Sequence, residues 1–382
     1  MSANRESIHV YPEPIGIRGD QIRLSARIVQ PSHEDLELWF ELPLQYEQAV
    51  TGFGNALVLA TVFLAMRRAR TLWVHDQVSP SLLRNLEEFQ AAYQAWHPQH
   101  YQAIDVRGDN EDECSPAPAG DLVIAAFSGG LDSSFSVYRH TKGLAGRRNV
   151  EIGACLMVHG FDIPVRDTEC FERACSKARQ MLDSLELPLI PLRTNLKKIL
   201  NPVWRYEHGA ALAACLHLFA DGFAGALMGG TYQYSRTELI SHGSNPLTDP
   251  LLASNSFFML HDGAEFFRPQ KANILLEWPE AMEHLRVCWE GEDLAGNCGI
   301  CSKCIRMITG FWAMGVDAPK SFTTLPGADD LRNLKLTRED YLDPVREIIA
   351  IAKANGLHDE PWVGDLETCL ARNQRRFEEL AT

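Results

Sequence analysis

Apolar and polar positions alternate along residues 7–10, 21–29 and 36–42, the period-two pattern of half-buried strands. Residues 46–68 are largely apolar and predict a buried helix, and 71–78 predict another strand. Ser79-Pro80 then opens a helix that runs to about Trp96, with proline in its first turn where no amide donor is needed. Residues 101–106 predict a closing strand. The pattern breaks at 107–121, RGDNEDECSPAPAGD, which is acidic, then rich in Pro, Ala and Gly, with no apolar period. This stretch reads as a linker.

Beyond it the pattern becomes an alternation of buried strands (121–127, 152–158, 189–192, 226–228) with helices (133–140, 168–185, 208–220). Apolar strands alternating with helices imply an α/β fold with a doubly wound parallel sheet, in which ligands bind beyond the strands' carboxyl ends. Residues 338–355 and 364–380 have helical periodicity with Glu/Arg-rich faces and predict a packed cap. The expected division is an α+β domain at 1–110, an α/β domain at 121–335 and a helical extension at 336–382. The first of these carries no acid–base or metal constellation, so recognition or docking is its expected role.

Composition narrows the class. The chain has 382 residues, 46% of them hydrophobic, enough for two domains or three. No uninterrupted apolar run approaches the ~18 residues of a membrane span, and the N-terminus does not read as a secretory signal. The net charge of -14 repels phosphate backbones, which disfavours bulk nucleic-acid binding and leaves small molecules or proteins as partners. Three of the ten cysteines fall in one seven-residue window, a spacing that argues for metal and a reducing cytoplasm.

The sharpest motif is Ser128-Gly129-Gly130-Leu131-Asp132-Ser133-Ser134, set between an expected strand and an expected helix start. The glycines let backbone approach a ligand closely, and the helix start offers free amides and partial positive charge to a phosphate. Ser128, Ser133 and Ser134 can add hydroxyl donors. Asp132 would repel a phosphate unless it holds Mg²⁺ or shapes the loop. An ordinary turn with a capping Ser or Asp is the plain alternative, but the complete string in a strand–helix context favours phosphate binding.

A second constellation is Cys288, Cys298, Cys301 and Cys304, spaced C-x9-C-x2-C-x2-C. Four thiolates on tight turns close a tetrahedral shell around Zn²⁺ and leave no open catalytic position. An iron–sulfur cluster, a redox pair or plain reduced thiols compete with that reading. The apolar run 305–314 predicts a helix packed on the cluster. Cys114, Cys155, Cys170, Cys175, Cys215 and Cys369 are scattered and read as small core or surface residues. Two further segments carry polar chemistry. The loop 242–250, HGSNPLTDP, is long and irregular enough to be a substrate lid with Ser244 and Asp249 as contacts, or a surface loop with Asx turns. Arg268 and Lys271 precede a helix and could stabilise charge on a leaving group.

The string at 128–133 matches the SGGxDS signature of PP-loop ATP pyrophosphatases and lacks the lysine of a Walker A loop. The cysteine spacing after Leu285-Arg286-Val287-Cys288 resembles the zinc-binding tail of 7-cyano-7-deazaguanine synthase (QueC), and the resemblance covers about residues 121–315. QueC proper has no counterpart of residues 1–120. The larger QueC-like group is the nearer resemblance, and some of its members accompany bacterial anti-phage systems such as Qat and type IV CBASS. The resemblance implies a PP-loop (HUP-like) sheet with a zinc-knuckle tail. It implies an enzyme that splits ATP into AMP and pyrophosphate to activate a carboxylate or amide, of a 7-deazaguanine or another small molecule. An amide, a nitrile or a conjugate to an amine, including a protein amine, would follow. It places the adenine near His159 and Gly160, sets Gly229 in a turn closing over nucleotide and acceptor, and gives Lys271, with Arg268, contact to the phosphates. A tRNA-modifying thiolase, an asparagine-synthetase-like amidotransferase and a non-catalytic nucleotide-binding partner are the alternatives. The net charge argues against the tRNA enzymes, and the intact SGGLDS string argues against the inactive partner.

Overall fold

The structure is a computed structural model and describes residues 7–50, 53–113, 120–200, 203–235, 241–288 and 290–381. In chain order its first elements are β1 (Ile8–Pro12), β2 (Gly16–Arg18), β3 (Gln21–Val29), β4 (Leu36–Pro43), α1 (Gly54–Arg68), β5 (Leu72–Gln77), α2 (Pro80–Trp96) and β6 (Val106–Asn110). Then follow β7 (Val123–Ala126), α3 (Leu131–Thr141), β8 (Ile152–His159), α4 (Thr168–Asp183), β9 (Leu189–Thr194), α5 (Leu196–Leu200), α6 (Trp204–His217), β10 (Gly225–Gly229) and β11 (Phe258–Asp262). Among the described residues only helices come after, α7 (Arg268–Leu275), α8 (Pro279–His284), α9 (Ser302–Ala313), α10 (Ala328–Asn333), α11 (Leu342–Ala354) and α12 (Pro361–Ala381). Two compact units result. A sheet unit comprises Met1–Ser128, Ser136–Asp167 and Leu185–Glu265, and a helical unit comprises Gly129–Phe135, Thr168–Ser184 and Phe266–Thr382.

The protein is α/β with a large, mostly parallel central sheet. Among the described residues the strand order is β11-β10-β7-β8-β9-β4-β3-β1-β5-β6, with β2 paired to β3. The five strands from β11 to β9 are all parallel, as are β1, β5 and β6. Between these blocks β9–β4–β3–β1 pair antiparallel. The β4–β9 junction is short, Phe40 opposite Thr194 and Glu41 opposite Arg193. Side chains prolong it. The Thr194 hydroxyl donates to the Trp39 carbonyl at 2.7 Å, and Asn195 accepts from the Trp39 amide at 3.0 Å and donates to the Glu37 carbonyl at 2.6 Å.

Residues 7–110 therefore share a sheet with the strands after residue 120. They share a core too, since Ile8, Leu38 and Phe40 belong to one buried cluster with Ile124, Leu156, Ile190 and Ala226. Helix α1 is buried on nearly every side because it packs on both β5 and the alanine-rich α6. The fully buried Glu207 of α6 pairs with Arg67 and accepts from the Tyr101 hydroxyl at 2.9 Å. Burial pushes its carboxyl up, and Arg67 only partly offsets this. In the helical unit Ile305, Leu331, Leu336, Val345, Val363 and Leu366 form a second core, so α9 to α12 pack as one bundle. Among the described residues no helix is long and apolar enough to cross a membrane.

Several expectations shift. The strand expected at 101–106 lies instead at Val106–Asn110, inside the expected linker. It is the last strand in the order and is held by β5 alone, so its polar outer residues look like loop composition. The single helix expected at 46–68 is a 3₁₀ turn, Leu44–Ala49, followed by α1. Strand β11 was not expected. Cys114 and residues 114–119 lie outside the described residues.

Deleting residues 1–119 should therefore abolish folding of the remaining fragment, because it bares the β9 edge and the apolar faces that α1 covers. Circular dichroism and size exclusion of residues 120–382 check this, and a soluble, cooperatively melting fragment would contradict it.

Candidate functional site

The sheet unit presents one ledge of carboxyl ends. β7 ends before Ser128, β8 ends at His159 beside Gly160, β10 ends at Gly229, and β11 ends at Asp262. These strands are parallel neighbours, so His159–Gly160 and Gly229 flank the exit of β7 on either side. His159 is buried, its Nε2 lies 2.9 Å from the Pro164 carbonyl, and burial pushes its imidazole down toward the neutral form. Gly160 has φ +113°, and a Cβ there would sit 2.1 Å from the Thr194 carbonyl, so only glycine fits. A Cβ on Gly230 would sit 2.3 Å from His261 Nε2. The glycine pair after β10 thus lets the backbone cross a buried imidazole.

Behind this ledge is a polar network that the sequence did not reveal. Asp262 accepts from Ser136 at 2.8 Å and Arg139 at 3.2 Å, and His140 Nε2 lies 3.3 Å away. Burial pushes its carboxyl up, but His140, Ser136 and Arg139 more than offset that and hold it below the ordinary aspartate range. The available signal was the polar i, i+3, i+4 spacing of Ser136, Arg139 and His140 on one helix. In the loop 242–250, Ser244 donates to Asp249 at 2.7 Å, the Asn245 amide donates at 3.2 Å, and His261 Nδ1 sits 2.7 Å from the same carboxylate. Asp249 is fully buried, so its oxygens serve the loop's own shape. Asn245 also accepts from the amides of Leu247 and Thr248, which makes an Asx turn.

The helical unit gathers the glycine loop and two cations. Gly129 has φ +72°, the left-handed conformation that admits glycine most readily. The Ser134 amide and the Ser133 hydroxyl both donate to the Gly130 carbonyl, at 3.0 and 3.3 Å, and so start α3. Ser134 is fully buried with its hydroxyl unpartnered. Asp132 takes Lys271 at 3.2 Å on one carboxylate oxygen and Arg268 at 3.1 Å on the other. Lys271 is 1% exposed and its ammonium lies 5.6 Å from the Phe135 ring centroid. Burial pushes the Asp132 carboxyl up, but Arg268 and Lys271 outweigh it and hold the group below the ordinary range. Asp132, Arg268 and Lys271 are thus brought together, as their sequence separation could not show. With both oxygens engaged by these cations, Asp132 shapes the loop.

The same unit brings Cys288, Cys298, Cys301 and Cys304 together, all sulfurs within 4.8 Å of one another. The Cys288–Cys301 and Cys298–Cys304 separations are 3.8 and 3.9 Å. A zinc tetrathiolate with Zn–S of about 2.3 Å has sulfur–sulfur edges of about 3.8 Å, so the cluster could hold a metal ion such as zinc. The Cys301 amide points at Cys298 Sγ and the Cys304 amide at Cys301 Sγ, at 3.3 and 3.5 Å. The Cys304 thiol and amide pull the Cys301 thiol toward thiolate despite burial. Gly299 permits the turn, since a Cβ there would lie 2.1 Å from the Thr324 carbonyl. Asn297 ties the two arms. It accepts from the Val287 and Cys288 amides at 2.9 and 3.3 Å and donates to the carbonyls of Leu285 and Ser321 at 2.7 and 3.1 Å. One residue before that arm, the Arg286 amide donates to the Gly129 carbonyl at 2.8 Å. The cysteine arm and the glycine loop therefore share a backbone contact.

Compared with known proteins, the chain matches no family model, no curated protein and no solved structure.

Two outcomes follow from these geometries. Metal analysis should return about one zinc per chain, and Cys301→Ser should lose it and lower the melting temperature, because metal binding there is folding energy. Asp132→Asn should destabilise by about 3–5 kcal/mol, since it strands the buried Lys271 charge, while Asp132→Asn combined with Lys271→Met should recover most of that in denaturant titrations. The pH dependence has a definite sign. Asp132 titrates lower in the folded chain, so its contribution is complete above the unfolded value of about 4 and is lost as pH falls through the depressed one.

Proposed function

We propose that this chain is an adenylating enzyme of the PP-loop ATP pyrophosphatase type, similar to 7-cyano-7-deazaguanine synthase, built on a doubly wound sheet with a structural zinc knuckle. One observation carries the reading. A Ser-Gly-Gly-Leu-Asp-Ser loop follows a buried parallel strand and starts a helix, and its acid holds a buried lysine and an arginine. A strand–glycine turn–helix start is built to take an anion, and the two cations give that anion a counter-charge.

In this reading the β,γ-phosphates of ATP dock on residues 128–134. Asp132 keeps Lys271 and Arg268 in place and balances their charge until the phosphates compete for them. A carboxylate or amide oxygen of the substrate bonds to the α-phosphorus as the α–β phosphoanhydride breaks, and Lys271 with Arg268 stabilises the departing pyrophosphate. An amine nitrogen, of ammonia or of a protein, then displaces AMP. His159, Gly160 and Gly229 are the candidates to face the base and the acceptor. No general base is assigned, because Asp249 is spent on its own loop and positioning with electrostatics supplies most of the effect. The substrate class the reading favours is a 7-deazaguanine carboxylate, in a pathway such as anti-phage defence. Zinc at the four cysteines holds the arm that contacts Gly129 and takes no part in bond making.

Incubation with α- and γ-labelled ATP and candidate deazaguanine carboxylates should yield AMP and pyrophosphate. Formation of ADP and phosphate would refute the reading. Lys271→Met should lower kcat by about 10²–10³-fold, the effect of removing one charge-stabilising donor from a reacting centre.

A further inference from the structure

We propose that a cleft on the C-terminal helix α12 is a docking site for an acidic peptide segment of a partner protein. The cleft measures about 580 Å³ and is lined by Lys335, Arg372, Arg375 and Arg376, with Glu379 the one acid. In a chain of net charge -14 this is a local reversal of sign.

These four cations differ from their neighbours. Arg332 pairs with Asp329 and Asp365, Arg338 with Asp340, Arg346 with Asp343 and Lys353 with Glu367. Among the described residues, the hydrogen bonds of the cleft's arginines go only to neutral oxygens. Arg372 donates to the Leu334 carbonyl at 2.7 Å and the Asn333 side chain at 3.3 Å, Arg376 donates to the Leu336 carbonyl, and Arg375 donates to its own helix at Ala371. The Nε of Arg376 is buried with no acceptor. Arg372 and Arg376, one helical turn apart, are thereby fixed against the 334–336 turn by bonds to neutral acceptors. Fixed guanidinium forks of this kind favour carboxylates or phosphates, because little side-chain freedom remains to be lost on binding.

The adjoining cleft selects between those anions. It measures about 480 Å³, shares Asn333 and Lys335 with the first, and sets Ile300 and Tyr341 among the cations Lys303 and Arg306 and the acids Glu290, Asp329 and Asp330. Ile300 is 52% exposed. The Tyr341 ring already carries Arg306 at 4.4 Å and Arg338 at 4.8 Å, which a stacking nucleobase would have to displace. Nucleic acid would need such a stacking platform and would meet the field of the whole acidic chain. A short peptide whose carboxylates meet the basic first cleft and whose aliphatic side chains lie on the exposed Ile300 fits this arrangement.

The probe is a fluorescein-labelled peptide alternating Glu with Leu, titrated with the full chain at low and at physiological salt. It should bind, with affinity that falls as salt rises. Its Gln-for-Glu counterpart should bind about tenfold more weakly or worse, and so should the Glu peptide to the exposed pair Lys335→Glu, Arg375→Glu. Arg346→Glu, outside the clefts, should bind as the parent does. Should the paired reversal fail to fold, Lys335→Gln alone should show a smaller loss in the same direction. The proposal is overturned if the Glu peptide does not bind, if charge reversal leaves its affinity unchanged, or if a single-stranded oligonucleotide of equal charge binds more tightly.

Discussion

A lysine ammonium withdrawn almost wholly from water needs a counter-charge, because an unpaired buried charge costs more than most domains can spare. Lys271 finds it in Asp132, across 139 positions of chain. The pairing sets the position of α7 against the glycine loop, since Lys271 and Arg268 stand on the first turn of that helix and both reach the same carboxylate. It also keeps Asp132 ionised in a site where burial alone would favour the neutral acid. The glycine loop thus carries its own anion, with two cations held against it.

The cysteine arm extends that constraint. Arg286 binds the Gly129 carbonyl, and two residues on Cys288 enters the sulfur cluster. Asn297 spends its whole amide on holding this arm to the knuckle that carries the other three cysteines. A metal at the sulfurs would therefore fix more than a local turn. It would also fix the Arg286 amide that donates to the Gly129 carbonyl, which links the tetrathiolate to the loop through backbone.

In the sheet unit a different economy operates. The parallel strands that form the ledge end in an edge at β9, and β4 closes that edge by antiparallel pairing reinforced through Thr194 and Asn195. Helix α1 then covers α6 with a largely apolar surface and the Arg67–Glu207 pair. The N-terminal strands are thus structural for the ledge, whatever else they bind. Their outer face is also occupied: His9, Tyr11, Trp73 and His75 stack on one another at 4.1–6.1 Å.

Local signals carried much of this into the sequence. The period-two stretch at 21–29, the proline-started helix after Ser79 and the strand–SGGLDS–helix string depend on neighbours a few positions apart, and so do three of the four clustered cysteines. Edge strand β6 was hidden because a strand paired on one side keeps polar residues and imitates a loop. The Asp262 network and the shared sheet of residues 7–110 are long-range pairings, which no local period encodes. The sequence by itself determined which residues can bind an anion or a metal, because that is a property of side-chain chemistry and short spacing. Only the tertiary structure decided that Asp132 is spent on Lys271 and Arg268, that Asp249 is buried and that Arg286 joins the cysteine arm to the loop, because burial and charge pairing arise only when distant segments meet.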